Sequence, residues 1–290
     1  MTTTHRVEDR AKRTTLWYDL VLDDPHPPPE HLCERFAATA ATGCRRATLS
    51  PPDVLRAAES GTTAEQIGRQ AADLGLGLVM DPVMNWYPDR EPSPSRFAGV
   101  STDDALRMCE ALGVASLTVI ATATSDVPVP ELTEHFAGVC DRAADFGAQV
   151  HLEFMPFTVV RNLRTAWDLV HGADRPNGGL VFDTWHFFRG EAQFDVLETI
   201  PGNRIFCVQL DDAPAVPQGS LREETSRRLL PGDGALDLVA AIQALHQIGA
   251  LRWVGPEVIS PELAAMPVLD AATLAMERTR AILDAALAGT

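Results

Sequence analysis

Short β-rich runs alternate with longer helical patterns along the whole chain, and this alternation constrains the fold more than any other feature. Strand-like runs begin at Leu16 (LWYDLVL), Arg46 (RATLS), Leu76 (LGLVMDPVM), Ser116 (SLTVIAT), Gln149 (QVHLEF), Gly179 (GLVFDTW), Ile205 (IFCVQLDD) and Trp253 (WVGPEVI). Between them lie stretches such as PEHLCERFAATAATG, TAEQIGRQAADLG and ELTEHFAGVCDRAADFG, several closed by the glycine that commonly ends a helix. Strands separated by helices pair in parallel, because a parallel neighbour needs a crossover. Eight such units in 290 residues predict an α/β protein, a closed (β/α)8 TIM barrel, whose usual size is about 250 residues. An open doubly wound sheet is the competing architecture, but no GxGxxG follows the first strand. The expected organisation is a polar lead over residues 1–13 and one barrel domain over residues 14–290.

A barrel of this kind carries its chemistry at the carboxyl ends of its strands. In strand five, period-two alternation sends Val150, Leu152 and Phe154 to one face and Gln149, His151 and Glu153 to the other. The same parity turns Asp183 inward on strand six, Gln209 on strand seven and Glu257 on strand eight, with Leu180, Phe182, Phe206, Val208, Leu210, Val254 and Val258 outward. Four consecutive strands thus each aim one oxygen-bearing side chain at the barrel axis. Any one of these acids alone reads equally well as a buried hydrogen-bonded residue or a surface carboxylate. Three carboxylates converging in a dry mouth repel each other unless a cation sits between them, and a divalent metal is the economical answer. All-oxygen donors favour a hard ion, Mn²⁺ or Mg²⁺ first, with Co²⁺ and Zn²⁺ as further candidates.

Composition removes several other classes. Lys12, in the polar lead, is the single lysine among 24 basic residues, so lysine Schiff-base chemistry and the GK[ST] phosphate loop are excluded from the barrel. A net charge of -16 opposes a nucleic-acid partner. Five cysteines without a CxxC pair suggest reduced thiols and a cytoplasmic protein, and no apolar run approaches the ~20 residues of a membrane span. The expected partner is a small molecule.

The segments HLEFMPF, GGLVFDTWHFFRG, FCVQLDDAP, RRLLPGDGALDL and WVGPEV resemble, in order and spacing, the sugar phosphate isomerase/epimerase family of xylose-isomerase-like TIM barrels. The resemblance is strong over residues 149–259 and only topological before them. It implies metal ligation by Glu153, Asp183, Gln209 and Glu257, substrate contact by His186 in a DxxH motif, and binding of substrate oxygens by Arg228, although Arg227 beside it is an equal candidate from the residues alone. Many relatives carry a histidine where Gln209 stands, whereas the hydroxypyruvate-isomerase branch carries glutamine. That difference weakens a match to the ketose 3-epimerases. Relatives are often dimers or tetramers, so a homo-oligomer is within expectation.

Glu153 and Glu257, from strands five and eight, can approach a substrate from different sides, one removing a proton and the other returning it while a metal holds the enediolate charge. Return to the opposite face of the same carbon is epimerisation, return to its neighbour is isomerisation, and protonation of a leaving hydroxyl is dehydration. An isomerase or epimerase of a hydroxy-carbonyl compound is the first expectation, and a dehydratase of a cyclic keto-polyol the second. A nuclease like endonuclease IV would need more histidine ligands and would have to overcome the acidity, and a noncatalytic barrel would bind no metal. Loops at residues 85–99 and 213–233 are expected to cover the mouth, with Trp86 and Trp185 lining a substrate face beside Met84, Tyr87, Phe187 and Phe188. Trp17 and Asp19 are candidates for the opposite wall, and His151 reads as a barrel-core residue.

Overall fold

The computed structural model describes residues 15–16, 30–88, 96–121 and 127–288. The polar lead with Lys12, and Trp17 and Asp19, lie outside the described residues. Eight strands form one parallel sheet in sequence order: β1 (Thr15–Leu16), β2 (Arg46–Leu49), β3 (Gly77–Val83), β4 (Ser116–Ile120), β5 (Gln149–Glu153), β6 (Gly178–Asp183), β7 (Ile205–Leu210) and β8 (Val254–Pro256). β8 comes back against β1, which closes the sheet on itself. Helices occupy the crossovers, among them Thr102–Leu112, Val129–Ala144, Leu163–Ala173 and Leu238–Gln247, and Val268–Leu287 follows the last strand. The barrel inferred from the alternation is therefore the barrel observed.

Local chemistry sets the helix ends. Ser101 accepts the Asp104 N–H at 3.1 Å to open Thr102–Leu112, and Gly113 closes that helix at φ 66°, a left-handed conformation that disfavours a side chain. The outward strand residues Val150, Leu152, Phe154, Leu180 and Phe182 are fully buried, and they join Leu132, Phe136 and Leu169 of the surrounding helices in one apolar cluster. The opposite row is polar and equally buried: Thr118 and His151 pair across β4 and β5, and Asp183 and Gln209 across β6 and β7.

Two details depart from simple alternation. The register between β6 and β7 slips after Leu180, whose partner is Ile205, whereas Val181 pairs with Cys207. Phe206, expected to face outward, is the residue skipped, and its ring lies 5.7 Å from His151. A Cβ on Gly179 would stand 2.6 Å from that ring and 2.7 Å from the Arg204 carbonyl, so glycine is required there. Strand eight, expected to run past Glu257, ends at Pro256, which has no N–H for the ladder. Glu257 is nevertheless held against β7, its N–H donating to the Leu210 carbonyl at 3.1 Å.

Candidate metal centre

Glu153, Asp183, Gln209 and Glu257 all lie at the C-terminal face of the barrel, at or just beyond the ends of four adjacent strands. Asp183 and Gln209 are fully buried, Glu153 is nearly so, and the Glu257 side chain is 12% exposed. Two sets of potential ligand atoms each lie within 4.8 Å of one another: Glu153, Asp183 and His186, and Asp183, Asp211 and Glu257. Asp183 belongs to both sets. Gln209 stands beside it as a register partner, and among the described residues neither its carbonyl oxygen nor its amide nitrogen has a hydrogen-bond partner.

The DxxH spacing has a structural origin. Asp183 ends β6 and is the N-cap of the short helix Thr184–Arg189, so its Oδ1 accepts the His186 N–H at 2.6 Å. One turn of helix then brings the His186 Nε2 to 3.4 Å from Glu153 Oε1. Arg228, not Arg227, turns inward: Arg228 is 3% exposed while Arg227 is solvent-exposed. Its Nη1 donates to Asp183 Oδ2 at 2.6 Å, Asp211 Oδ2 at 2.6 Å and Glu257 Oε2 at 2.8 Å, and its Nη2 lies 3.2 Å from His186 Nε2. His186 Nε2 thus stands between the Arg228 guanidinium and Glu153 Oε1, and its Nδ1 is buried without a hydrogen-bond partner among the described residues.

Two acids in this cluster did not emerge from the sequence. Asp211 is fully buried, and its Oδ1 accepts from the Thr184 hydroxyl at 2.5 Å and the Trp185 N–H at 2.7 Å. It lies two residues beyond Gln209, so extending the strand-seven alternation by one step would have found it. Asp81, buried near the end of β3, raises the pKa of Glu153 by its charge. The nearly continuous apolar run around it masks the alternation there.

Electrostatics divide the cluster. Burial pushes the Glu153 carboxyl well above the ordinary range, and the charges of Asp81, Asp183 and Asp211 push it further, with Arg228 opposing. Burial likewise raises Asp211, helped by Asp183, and raises Glu257, helped by Glu153 and Asp183, against Arg228 in both cases. Burial would also raise Asp183, but Arg228, His186 and its hydrogen bonds hold it at about 2. Asp183 is thus the acid that Arg228 holds ionised, while burial and mutual repulsion push the other three upward. Burial lowers the imidazole of His186 to about 3, so it is neutral.

This donor set fits a divalent cation. Three carboxyl groups face one guanidinium, and Glu153 Oε1 and both polar atoms of the Gln209 amide are buried without a hydrogen-bond partner among the described residues. Polar atoms left so are costly unless a ligand engages them.

The aromatic positions divide. Trp185 is fully buried behind the site, its ring 5.1 Å from His186, with the Arg228 guanidinium carbon 5.4 Å from its centroid, and its Nε1 donates to Glu224. Phe157, absent from the sequence expectations, stands 6.3 Å from His186 and carries Arg222 over its face. Trp86 is buried against Tyr87 and Phe136, and its Nε1 donates to the Ile120 carbonyl.

The loop over residues 213–233 is tied to the barrel at both ends. Asp212 accepts backbone N–H groups of Gly232, Gly234 and Leu236, each at 3.0 Å. Glu224, 2% exposed, accepts from Trp185 Nε1 at 3.0 Å, Arg189 Nε at 2.6 Å and the Gln218 N–H at 2.7 Å. These bonds fix the segment that delivers Arg228.

Comparison with known proteins agrees with this geometry. Residues 36–282 match the family described as xylose isomerase-like TIM barrel. The chain is 31% identical over 186 residues to an inosose isomerase of Bacillus velezensis, a match that covers 62% of this chain and 66% of that protein, just under two thirds of its length. It is 26% identical over 242 residues to the 3-dehydroshikimate dehydratase of Pseudomonas aeruginosa, covering 81% of this chain and 37% of the relative. The solved structure of the IOLI protein with a bound zinc atom superposes with a TM-score of 0.80 at 20% identity, covering 95% of this chain and 99% of that one.

Proposed function

Because the chain belongs to the xylose isomerase-like TIM barrel family, we propose that it is a divalent-metal-dependent isomerase of a sugar-like or cyclitol hydroxy-carbonyl compound, working by carboxylate-mediated proton transfer. The observation that carries this reading is the convergence of Glu153, Asp183, Asp211 and Glu257 in two ligand sets that share Asp183, with Gln209 beside Asp183 and its buried amide without a hydrogen-bond partner among the described residues. The similarity to inosose isomerase supports a ring polyol as substrate.

Glu153, Asp183, Gln209 and Glu257 would hold the ion, Mn²⁺ or Mg²⁺ by donor type, whose Lewis acidity makes a hydrogen beside a carbonyl easier to remove. Glu153 and Glu257 enter from strands that are not neighbours, so each reaches a different side of a substrate between them. Both are pushed above the ordinary carboxyl range, which suits groups that must carry a proton as well as accept one. Return of the proton to the carbonyl carbon beside the one it left, with the hydroxyl proton passing to the former carbonyl oxygen, completes an isomerisation. His186 is neutral and would position a substrate hydroxyl without adding charge, and Arg228 would supply a permanently charged donor for substrate oxygens. Five free cysteines support a cytoplasmic location, and among the described residues no helix is long and apolar enough to cross a membrane.

Dehydration of a cyclic keto-polyol is the second reading, favoured by the longer stretch of this chain that aligns with the dehydratase. Incubating the purified protein with inososes and ketoses in heavy water, with Mn²⁺, Mg²⁺, Co²⁺ or Zn²⁺ in turn, separates the two. Deuterium in a product of unchanged formula supports the isomerase, and loss of water the dehydratase. Glu153→Gln should abolish either signal; a protein that binds none of these ions and is indifferent to that substitution would defeat the proposal.

A further inference from the structure

Arg228 does not use its guanidinium as a planar fork against one carboxylate. A single nitrogen, Nη1, meets Asp183, Asp211 and Glu257 at 2.6, 2.6 and 2.8 Å, with the Glu257 carbonyl at 3.3 Å. A terminal guanidinium nitrogen carries two hydrogens, fewer than the three carboxylates around it, so the contact is that of a point charge at the focus of an acidic cage. Those three acids are also one of the two sets able to ligate a metal. An ion bound by the same oxygens at about 2.1 Å would fall inside the contact distance of Nη1, so the two cations exclude each other. The rest of the residue permits an exchange. Its backbone N–H is fixed to the Ile259 carbonyl at 2.9 Å, while Nε and Nη2 reach the carbonyl and hydroxyl of Thr225 at 3.2 and 3.0 Å, which gives the side chain a pivot on its own loop.

We propose that Arg228 is a built-in competitor for the metal: its Nη1 and a divalent ion exchange for the carboxylates of Asp183 and Glu257, beside Asp211, and metal loading turns the guanidinium out toward substrate. The inference rests on the metal-dependent reading above and adds a coupling to it. Metal affinity is lowered by the need to displace the arginine, and a substrate oxygen that captures the released guanidinium strengthens metal binding reciprocally.

The test is Mn²⁺ titration calorimetry on chelator-stripped wild type and Arg228→Met. The variant should bind Mn²⁺ about tenfold more tightly or better, and its stripped form should melt at a lower temperature and gain more from added Mn²⁺ than wild type does. Equal or weaker Mn²⁺ binding by a folded Arg228→Met protein would overturn the proposal while leaving the metal site standing. If neither protein binds Mn²⁺, the proposal and the functional reading fall together; if only the variant binds, the competition is demonstrated directly. Should the variant not fold, wild type alone decides by nitrogen NMR: the Arg228 Nε–H resonance must shift on saturation with Mg²⁺. A resonance unmoved by a bound ion overturns the exchange.

Discussion

Asp183 accepts the His186 backbone N–H at 2.6 Å through one carboxylate oxygen and an Arg228 proton at 2.6 Å through the other. The first bond places the histidine, and the second places charge. Because the two roles use different oxygens, substitution can separate them.

Asp183→Asn keeps an oxygen to cap the helix but removes the negative charge. The protein should fold with unchanged circular dichroism, while Mn²⁺ binding by calorimetry is lost and turnover falls by about a hundredfold or more. A variant that loses its helix signal as well would show that the charge, and not only the cap, holds the site together.

Gln209→Leu tests the unpartnered amide from both directions. Removing buried polar atoms that make no hydrogen bond should leave the chelator-stripped protein as stable as wild type, or more stable by about 1 kcal/mol. Mn²⁺ affinity should meanwhile fall by about tenfold to a hundredfold. Thermal melts with and without Mn²⁺ read both effects in one series.

Acid stability follows from the buried histidines. His151 and His186 are both lowered to about 3, mainly by burial, with Arg46 adding to the first and Arg228 to the second. Below about pH 6.5 the unfolded chain protonates them and the native chain does not, so each withdraws up to about 1.4 kcal/mol per pH unit as pH falls toward 3. Asp183, held at about 2, contributes stability that is lost only as pH falls below its ordinary value toward 2. The raised carboxyls of Glu153, Asp211 and Glu257 act in the opposite sense, so the histidine share is read by difference. Urea denaturation at stepped pH should show a loss shallower by about one proton in His151→Asn.

Glu224→Leu removes the acceptor shared by Trp185, Arg189 and the Gln218 N–H and leaves the Arg189 guanidinium without its counter-charge, held only by the Pro214 carbonyl among the described residues. Such losses cost about 3–5 kcal/mol. Chemical denaturation should show that loss, and limited proteolysis should cut first within residues 213–233, the segment Glu224 fastens.

The site was partly legible before any coordinates because alternation is a strict rule wherever a strand runs regularly. Glu153, Asp183 and Gln209 follow it to the last residue of interest. It failed where the ladder is irregular: at Phe206, displaced by the slip between Leu180 and Val181, and at β8, which stops at Pro256. Asp211 went unnoticed although it obeys the same parity, since Gln209 already satisfied the expectation of one donor per strand. Phe157 and Glu224 could not have been found, because nothing in a loop sequence states which strand end it will fold over.

The sequence by itself determined the barrel, its eight strands and the row of acids, because these depend on periodicities of two and 3.6 that are written locally in the chain. It also identified arginine as the cation available inside the barrel, with Lys12 left in the polar lead. Only the tertiary structure decided that Arg228 and not Arg227 enters the cluster, and that it meets three carboxylates through one nitrogen. That choice depends on Asp212 and Glu224 anchoring the loop and on Ile259 receiving the Arg228 N–H, contacts between segments far apart in the chain whose geometry no local pattern records.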